Sequence, residues 1–183
     1  MLNQGTTIIL MTLLCTLSFG GMRGLSPHPQ QDMDYTQELK AVFIYNFTKY
    51  MNWMDSEPSS TFDIAVVGDS QIAEPLRLVA QKRRVNQKDI HIKLFKDPDQ
   101  IDQCHILFIP ESKKKQLNRI IDNIQDKNTL VISEIEGALS SGVMINFLIV
   151  EDRIKFEINL KSMKKSGFQP SSELLKLAVR IIE

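Results

Sequence analysis

Few groups in this chain could carry chemistry. Its 183 residues hold three histidines (His28, His91 and His105) and two cysteines (Cys15 and Cys104). No pair of histidines has the spacing of metal ligands, and one thiol beyond the N-terminal region cannot build a zinc site. His105 follows Cys104 directly, but neighbours on a strand face opposite sides, which argues against a Cys–His couple. A reactive thiol needs an electropositive, partly open setting. Cys104 instead opens the apolar run 104–109 and reads as a buried sulfur. The chain contains no Gly-x-Ser-x-Gly and no P-loop. Gly68, Asp69 and Ser70 follow a predicted strand and precede a predicted helix, the place where α/β sheets bind anions. They are the candidate ligand-binding residues, and a tight strand-to-helix turn accounts for the same triplet. Glu134 and Glu136 are isolated acids. Nothing here calls for a cofactor, a metal or a catalytic role.

A second candidate site is a surface rather than a reaction centre. Residues 142–160 read as two strands joined at Glu151-Asp152, a turn whose type the sequence leaves open. Val143 to Val150 is apolar on both faces except for Asn146, as a strand buried on two sides would be. The following run alternates. Ile154, Phe156, Ile158 and Leu160 point one way, and Arg153, Lys155, Glu157 and Asn159 point the other. Such a hairpin belongs at a sheet edge, where unpaired backbone groups must be protected or used. Arg153, Lys155, Glu157 and Asn159 are therefore the candidate partner-binding residues. A covering helix, or charges that serve solubility alone, explains them equally. Under the binding reading, Glu157→Arg should weaken partner inhibition without unfolding the domain.

The elements that would position these residues follow from periodicity. From Tyr35 a helix is predicted, with Leu39, Phe43, Phe47, Tyr50, Met51 and Met54 as its buried stripe and Val42, Tyr45 and Trp53 on a second face. Pro58 ends it. Seven aromatics between Tyr35 and Phe62 can pack the core or supply part of a recognition face. A strand at 62–67 leads to a helix carrying Ile72, Leu76, Val79 and Ala80, with Asp69 or Ser70 as N-cap. Strands follow at 90–95, at 104–109 (the central one) and at 129–132. A helix with Leu117, Ile120, Ile121 and Ile124 opens at Pro110-Glu111-Ser112. Residues 135–141 form a short helix or loop before the hairpin. A short helix at 161–166 stops at Gly167, and a last helix runs from Glu173 to Ile182 after Pro170-Ser171-Ser172. Strands alternating with helices specify a single-domain α/β sandwich, with a mostly parallel central sheet and an antiparallel hairpin at one edge.

Composition narrows the setting. The chain is 43% hydrophobic and 24% charged with a formal net charge of zero, which gives no pull toward nucleic acid. The runs Lys82-Arg83-Arg84 and Lys113-Lys114-Lys115 read as solvated helix ends or loops, with a phosphate-binding patch as the alternative. Ile8 to Leu17 is an apolar run too short to span a bilayer comfortably. Small residues and a polar, proline-bearing stretch follow it, the pattern of a secretory signal peptide. Cleavage is expected between Gly20 and Ser26. The organisation is then a signal peptide over about residues 1–24, a flexible lead-in at 25–34 and one domain at 35–183. Cleavage removes Cys15 and leaves Cys104 without an intramolecular disulfide partner.

Several stretches, taken in order, resemble one family. LKAVFIYNFTKYMNWM is similar to its opening aromatic helix. FDIAVVGDSQIAEPL is similar to its strand, Gly-Asp turn and helix. CHILFIPESK, LVISE, the hairpin from Gly142 with IKFEINL, and SSELLKLAVRII complete the set. The chain thus resembles the YfiR-like family of periplasmic regulatory proteins, related to HmsC, over residues 35–183. The resemblance implies a non-enzymatic periplasmic protein. It would bind the periplasmic sensor domain of an inner-membrane diguanylate cyclase and hold it inactive, restraining cyclic-di-GMP and biofilm formation. It also implies self-association, often as dimers. Some relatives use additional cysteines for redox response, and this chain lacks them. The alternative reading is a small-ligand-binding periplasmic module acting with a membrane receptor.

Overall fold

The computed structural model describes residues 29–53, 60–124 and 127–183. The predicted signal peptide lies outside the described residues, as do Met54 and Pro58. One eight-stranded sheet organises the rest, in the order β2-β3-β1-β4-β5-β6-β7-β8. The strands are β1 (Thr61–Val67), β2 (Arg84–Val85), β3 (Lys88–Phe95), β4 (Ile106–Ile109), β5 (Leu130–Ser133), β6 (Ile145–Val150), β7 (Arg153–Asn159) and β8 (Arg180–Ile182). Five neighbouring pairs are parallel. The hairpins β2–β3 and β6–β7 are antiparallel. This is the mostly parallel α/β sheet that the alternation of strands and helices predicts. β4 is central as expected, and both β4 and β5 are buried throughout, the signature of strands covered on two faces.

The helices are α1 (Pro29–Phe47), α2 (Ala73–Lys82), α3 (Leu117–Ile124), α4 (Leu160–Lys165) and α5 (Ser172–Leu177). α1 lies on one face of the hairpin. Its Phe47 ring centroid is 5.0 Å from Phe156 and 5.8 Å from Phe147, and Phe43 completes the cluster. α3 and α4 flank Val131 and Met144, where the sheet carries a cleft.

Three local expectations need correction. The first helix begins at Pro29 and stops at Phe47, before Tyr50 and Met51. Thr48 turns its hydroxyl back to Tyr45 O (2.6 Å), and Trp53 Nε1 donates to Thr48 O (2.7 Å). Met51 instead forms an isolated bridge with Pro170. Ala41, Ile44 and Phe47 are the fully buried residues of the helix; of the predicted stripe, Phe47 and Met51 are buried, and Leu39 and Phe43 are half-buried. α2 has Ile72 at its N-cap position without a side-chain cap, so neither Asp69 nor Ser70 caps it. Ser70 Oγ accepts from Ile72 N at 3.5 Å.

The third correction is at the C-terminal end of the chain. The predicted last helix is only six residues long, and Ala178 is already extended (φ −71°, ψ 137°). The β-branched run Val179, Ile181, Ile182 suits a strand better than a helix. It forms β8, parallel to β7, with Ile158 beside Ile181. The outer strand of the hairpin is therefore one strand in from the edge. Ser171 caps α5 by accepting from Leu174 N at 3.3 Å, and Gly167 (φ 80°) follows α4 as predicted.

Candidate functional site

The four candidate partner-binding residues share a strand but not an environment. Arg153 is exposed and Lys155 half-exposed, whereas Glu157 and Asn159 are buried. β8 is the cause. Arg180 sits beside Glu157 in register and donates from Nε (2.8 Å) and Nη2 (2.5 Å) to Oε2. Asn146 on β6 donates to Oε1 at 3.1 Å. Asn159 caps α4 by accepting from Ser162 N (2.8 Å), and it donates to Leu139 O (2.8 Å). The expected solvent-facing polar row is thus split: its first half is surface and its second half is internal wiring. Glu157→Arg would put a cation at a buried position beside Arg180, whose own side chain is largely exposed. Its first effect falls on the fold, contrary to the expectation of an intact domain.

The interior strand also differs from expectation toward its tip. Ile145 to Phe147 are buried, but Ile149 is 63% exposed and Val150 40%. In register, Ile149 faces Ile154 and Ile145 faces Ile158. Val179 N bonds to Phe156 O at 3.0 Å. Alternation therefore puts Ile149, Ile154, Val179 and Ile181 on the face that α1 covers further along. Val179 and Ile181 are exposed. The result is an apolar strip running from the hairpin tip to the edge strand. Reading residues 143–150 as buried on both faces concealed it, and so did placing 179–182 in a helix. The signal that could have found it is the β-branched pair Ile181-Ile182.

Gly68, Asp69 and Ser70 do come together at the C-terminal end of β1, between β3 and β4, where the strand order reverses. Gly68 has φ 82° and donates to Phe95 O at 2.7 Å. The aliphatic chain of Lys113 lies across it: a Cβ at Gly68 would fall 2.2 Å from Lys113 Cε. Lys113 Nζ bonds to Lys96 O (3.1 Å). This glycine therefore admits a lysine stem, and the side chain over the strand end is the protein's own. Nearby, buried Lys40 on α1 pairs with Glu134 at 2.5 Å, and Glu134 Oε1 accepts from Glu111 N at 3.3 Å. Sequence reading took Glu134 as an isolated acid. Its partner stands 94 residues away, beyond the reach of local pattern.

Cys104 is buried as expected, and burial pushes its thiol up to about 11. His105 uses a different set of partners. Its Nδ1 accepts from Asp63 N (2.9 Å), and its ring stacks on Phe62 at 4.4 Å. Burial alone would raise the Asp63 carboxyl. Hydrogen bonds from Lys93 (2.7 Å) and Thr61 outweigh that and hold it below the ordinary value. Among the described residues, no group of three or more His, Cys, Asp and Glu side chains is placed to hold a metal ion.

Comparison with known proteins adds two findings. A family model described as YfiR/HmsC-like matches residues 37–179. Among solved structures, a conserved domain protein from Vibrio cholerae O1 biovar El Tor strain N16961 is similar, with a TM-score of 0.57 and 10% sequence identity. The likeness covers 79% of this chain and 60% of that one, and at that identity it speaks for the fold alone.

Proposed function

This chain belongs to the YfiR/HmsC-like family, and from that premise we propose that it is a non-enzymatic periplasmic regulator. It is exported through its apolar N-terminal segment. It binds and inhibits the periplasmic sensor domain of an inner-membrane signalling protein, a diguanylate cyclase. The observation that carries the reading is the family match over residues 37–179. The contact surface is the apolar strip of Ile149, Ile154, Val179 and Ile181; Arg153 and Lys155 lie on the other face of β7. Exposed apolar residues gathered on one strip are typical of interaction sites. Inhibition follows only if the inactive sensor is bound more tightly than the active one. Moving a population from 1:99 to 99:1 takes a preference of about 10⁴-fold.

The test combines capture and deletion. Immobilised full-length protein should retain a membrane signalling protein from a detergent extract of its own cells, and deletion should raise cellular cyclic-di-GMP. Unchanged cyclic-di-GMP on deletion, with no signalling protein captured, would overturn the proposal.

A further inference from the structure

On the face of the sheet opposite α1, a cleft of about 450 Å³ opens between α3, the turn at Ala138–Ser141 and α4. It lies across the sheet from the apolar strip, and it takes no part in the proposed regulation of a membrane partner. Its volume falls within the range of small-molecule sites. Val131 and Met144 on the sheet give it an apolar floor, and its rim is polar.

The rim chemistry is specific. Ser141, Ser162 and Ser166 line it, with Lys127, Lys165 and Asp122. None of the three serine hydroxyls has a hydrogen-bond partner among the described residues, and neither Lys165 nor Asp122 has an ion-pair partner there. Lys127 Nζ donates once, to Ile101 O at 2.8 Å, and keeps two donors. Among the described lining residues, two ammonium groups stand against one carboxylate. Helix C-termini oppose an anion through their free carbonyls; at the end of α4 and at the 138–141 turn several of those carbonyls are occupied. Ser166 N bonds to Ser162 O and Met163 O, Gly167 N to Lys164 O, Phe168 N to Met163 O, and Gly142 N to Leu139 O. Among the described lining residues the lysines outnumber the acid, in a concave site that concentrates their field.

We infer that this cleft binds a small hydroxylated organic anion, bearing a carboxylate or a phosphate. Lys165 and Lys127 take the charge, the serine hydroxyls take the ligand's hydroxyl groups, and the apolar floor takes its carbon skeleton. Lys165 is exposed at the end of α4 and packs no core, so it can be changed without cost to the fold.

The experiment is an amide NMR titration of the full-length protein with three probes: gluconate, inorganic phosphate and neutral glucose. Saturable shifts at Ser140–Gly142 and Ser162–Ser166 are expected with at least one of the two anions. The stronger of the two identifies the charged group recognised, and glucose should leave the spectrum unmoved. Lys165→Glu should weaken binding by at least about tenfold, the equivalent of 1.4 kcal/mol, and Lys165→Ala by less. No saturable shift with either anion, an equal response to glucose, or unchanged affinity in Lys165→Glu would overturn the inference. Because this readout involves no partner protein, its failure would leave the regulatory proposal untouched, and the converse holds too.

Discussion

The two hairpins of the sheet make opposite use of the same turn. Asn86 (φ 49°) and Gln87 (φ 67°) join β2 to β3, and Glu151 (φ 50°) and Asp152 (φ 57°) join β6 to β7. Both turns put two non-glycine residues in the left-handed region, the geometry that matches strand twist in a two-residue loop. Beyond the turn they diverge. β2 is two residues long and carries the exposed pair Arg84–Asp89 at 2.7 Å. A short, charged edge of this kind resists pairing with other chains. At the other edge, β7 is covered by β8, its acid is tied internally to Arg180, and the tip and edge present isoleucine and valine. One edge is closed to company, and the other presents the apolar strip proposed to receive it.

The largest expected effect separates the two ion pairs. Glu157→Arg should cost about 3 kcal/mol or more, because it buries a cation at the 5% exposed Glu157 position, beside Arg180 and without its partner. Arg84→Ala at the opposite edge should cost no more than about 0.5 kcal/mol, as an exposed pair does. Urea unfolding, followed by the single tryptophan, Trp53, packed 4.9 Å from Phe62, measures both. Equal costs would erase the distinction between the edges.

Asp63→Asn comes next, at about 1.5 kcal/mol near neutral pH, the scale of a hydrogen bond to a charged group. Its folded carboxyl lies below the ordinary value of 3.8. The wild-type advantage is therefore present above that value and disappears as pH falls through the lower folded one. Unfolding curves for the two proteins should converge in strong acid, and a gap that persists there would contradict the assignment to Asp63.

What the sequence made legible, and what it hid, follows the same division. Period-two and continuous apolar runs located β1, β3, β4, β5 and both strands of the longer hairpin, because burial writes itself into residues close in sequence. The β2 strand escaped notice since two residues carry no period. The exposure of β7 was misjudged because alternation says which residues share a face, not whether another strand stands beside them. Glu157 looks like any outward acid until Arg180 arrives 23 residues later. Gly68 was legible as a turn, but the Lys113 stem across it was not.

Smaller effects sharpen the comparison. Replacing Glu151-Asp152 with Asn-Gly should stabilise the domain by about 1 kcal/mol, since both positions require φ > 0. No gain in the unfolding midpoint would show that the native pair is already well accommodated. Ile149→Asp combined with Val179→Asp should change stability only modestly, within about 0.5 kcal/mol per site for exposed positions.

That double variant gives the most direct test of the account. Cellular cyclic-di-GMP would be measured in strains carrying the wild-type protein, the deletion, Ile149→Asp with Val179→Asp, and Arg84→Ala, all at matched protein levels. The account predicts that the double variant behaves like the deletion, with raised cyclic-di-GMP, while Arg84→Ala behaves like wild type. A double variant that is folded, exported and still holds cyclic-di-GMP at the wild-type level would contradict it.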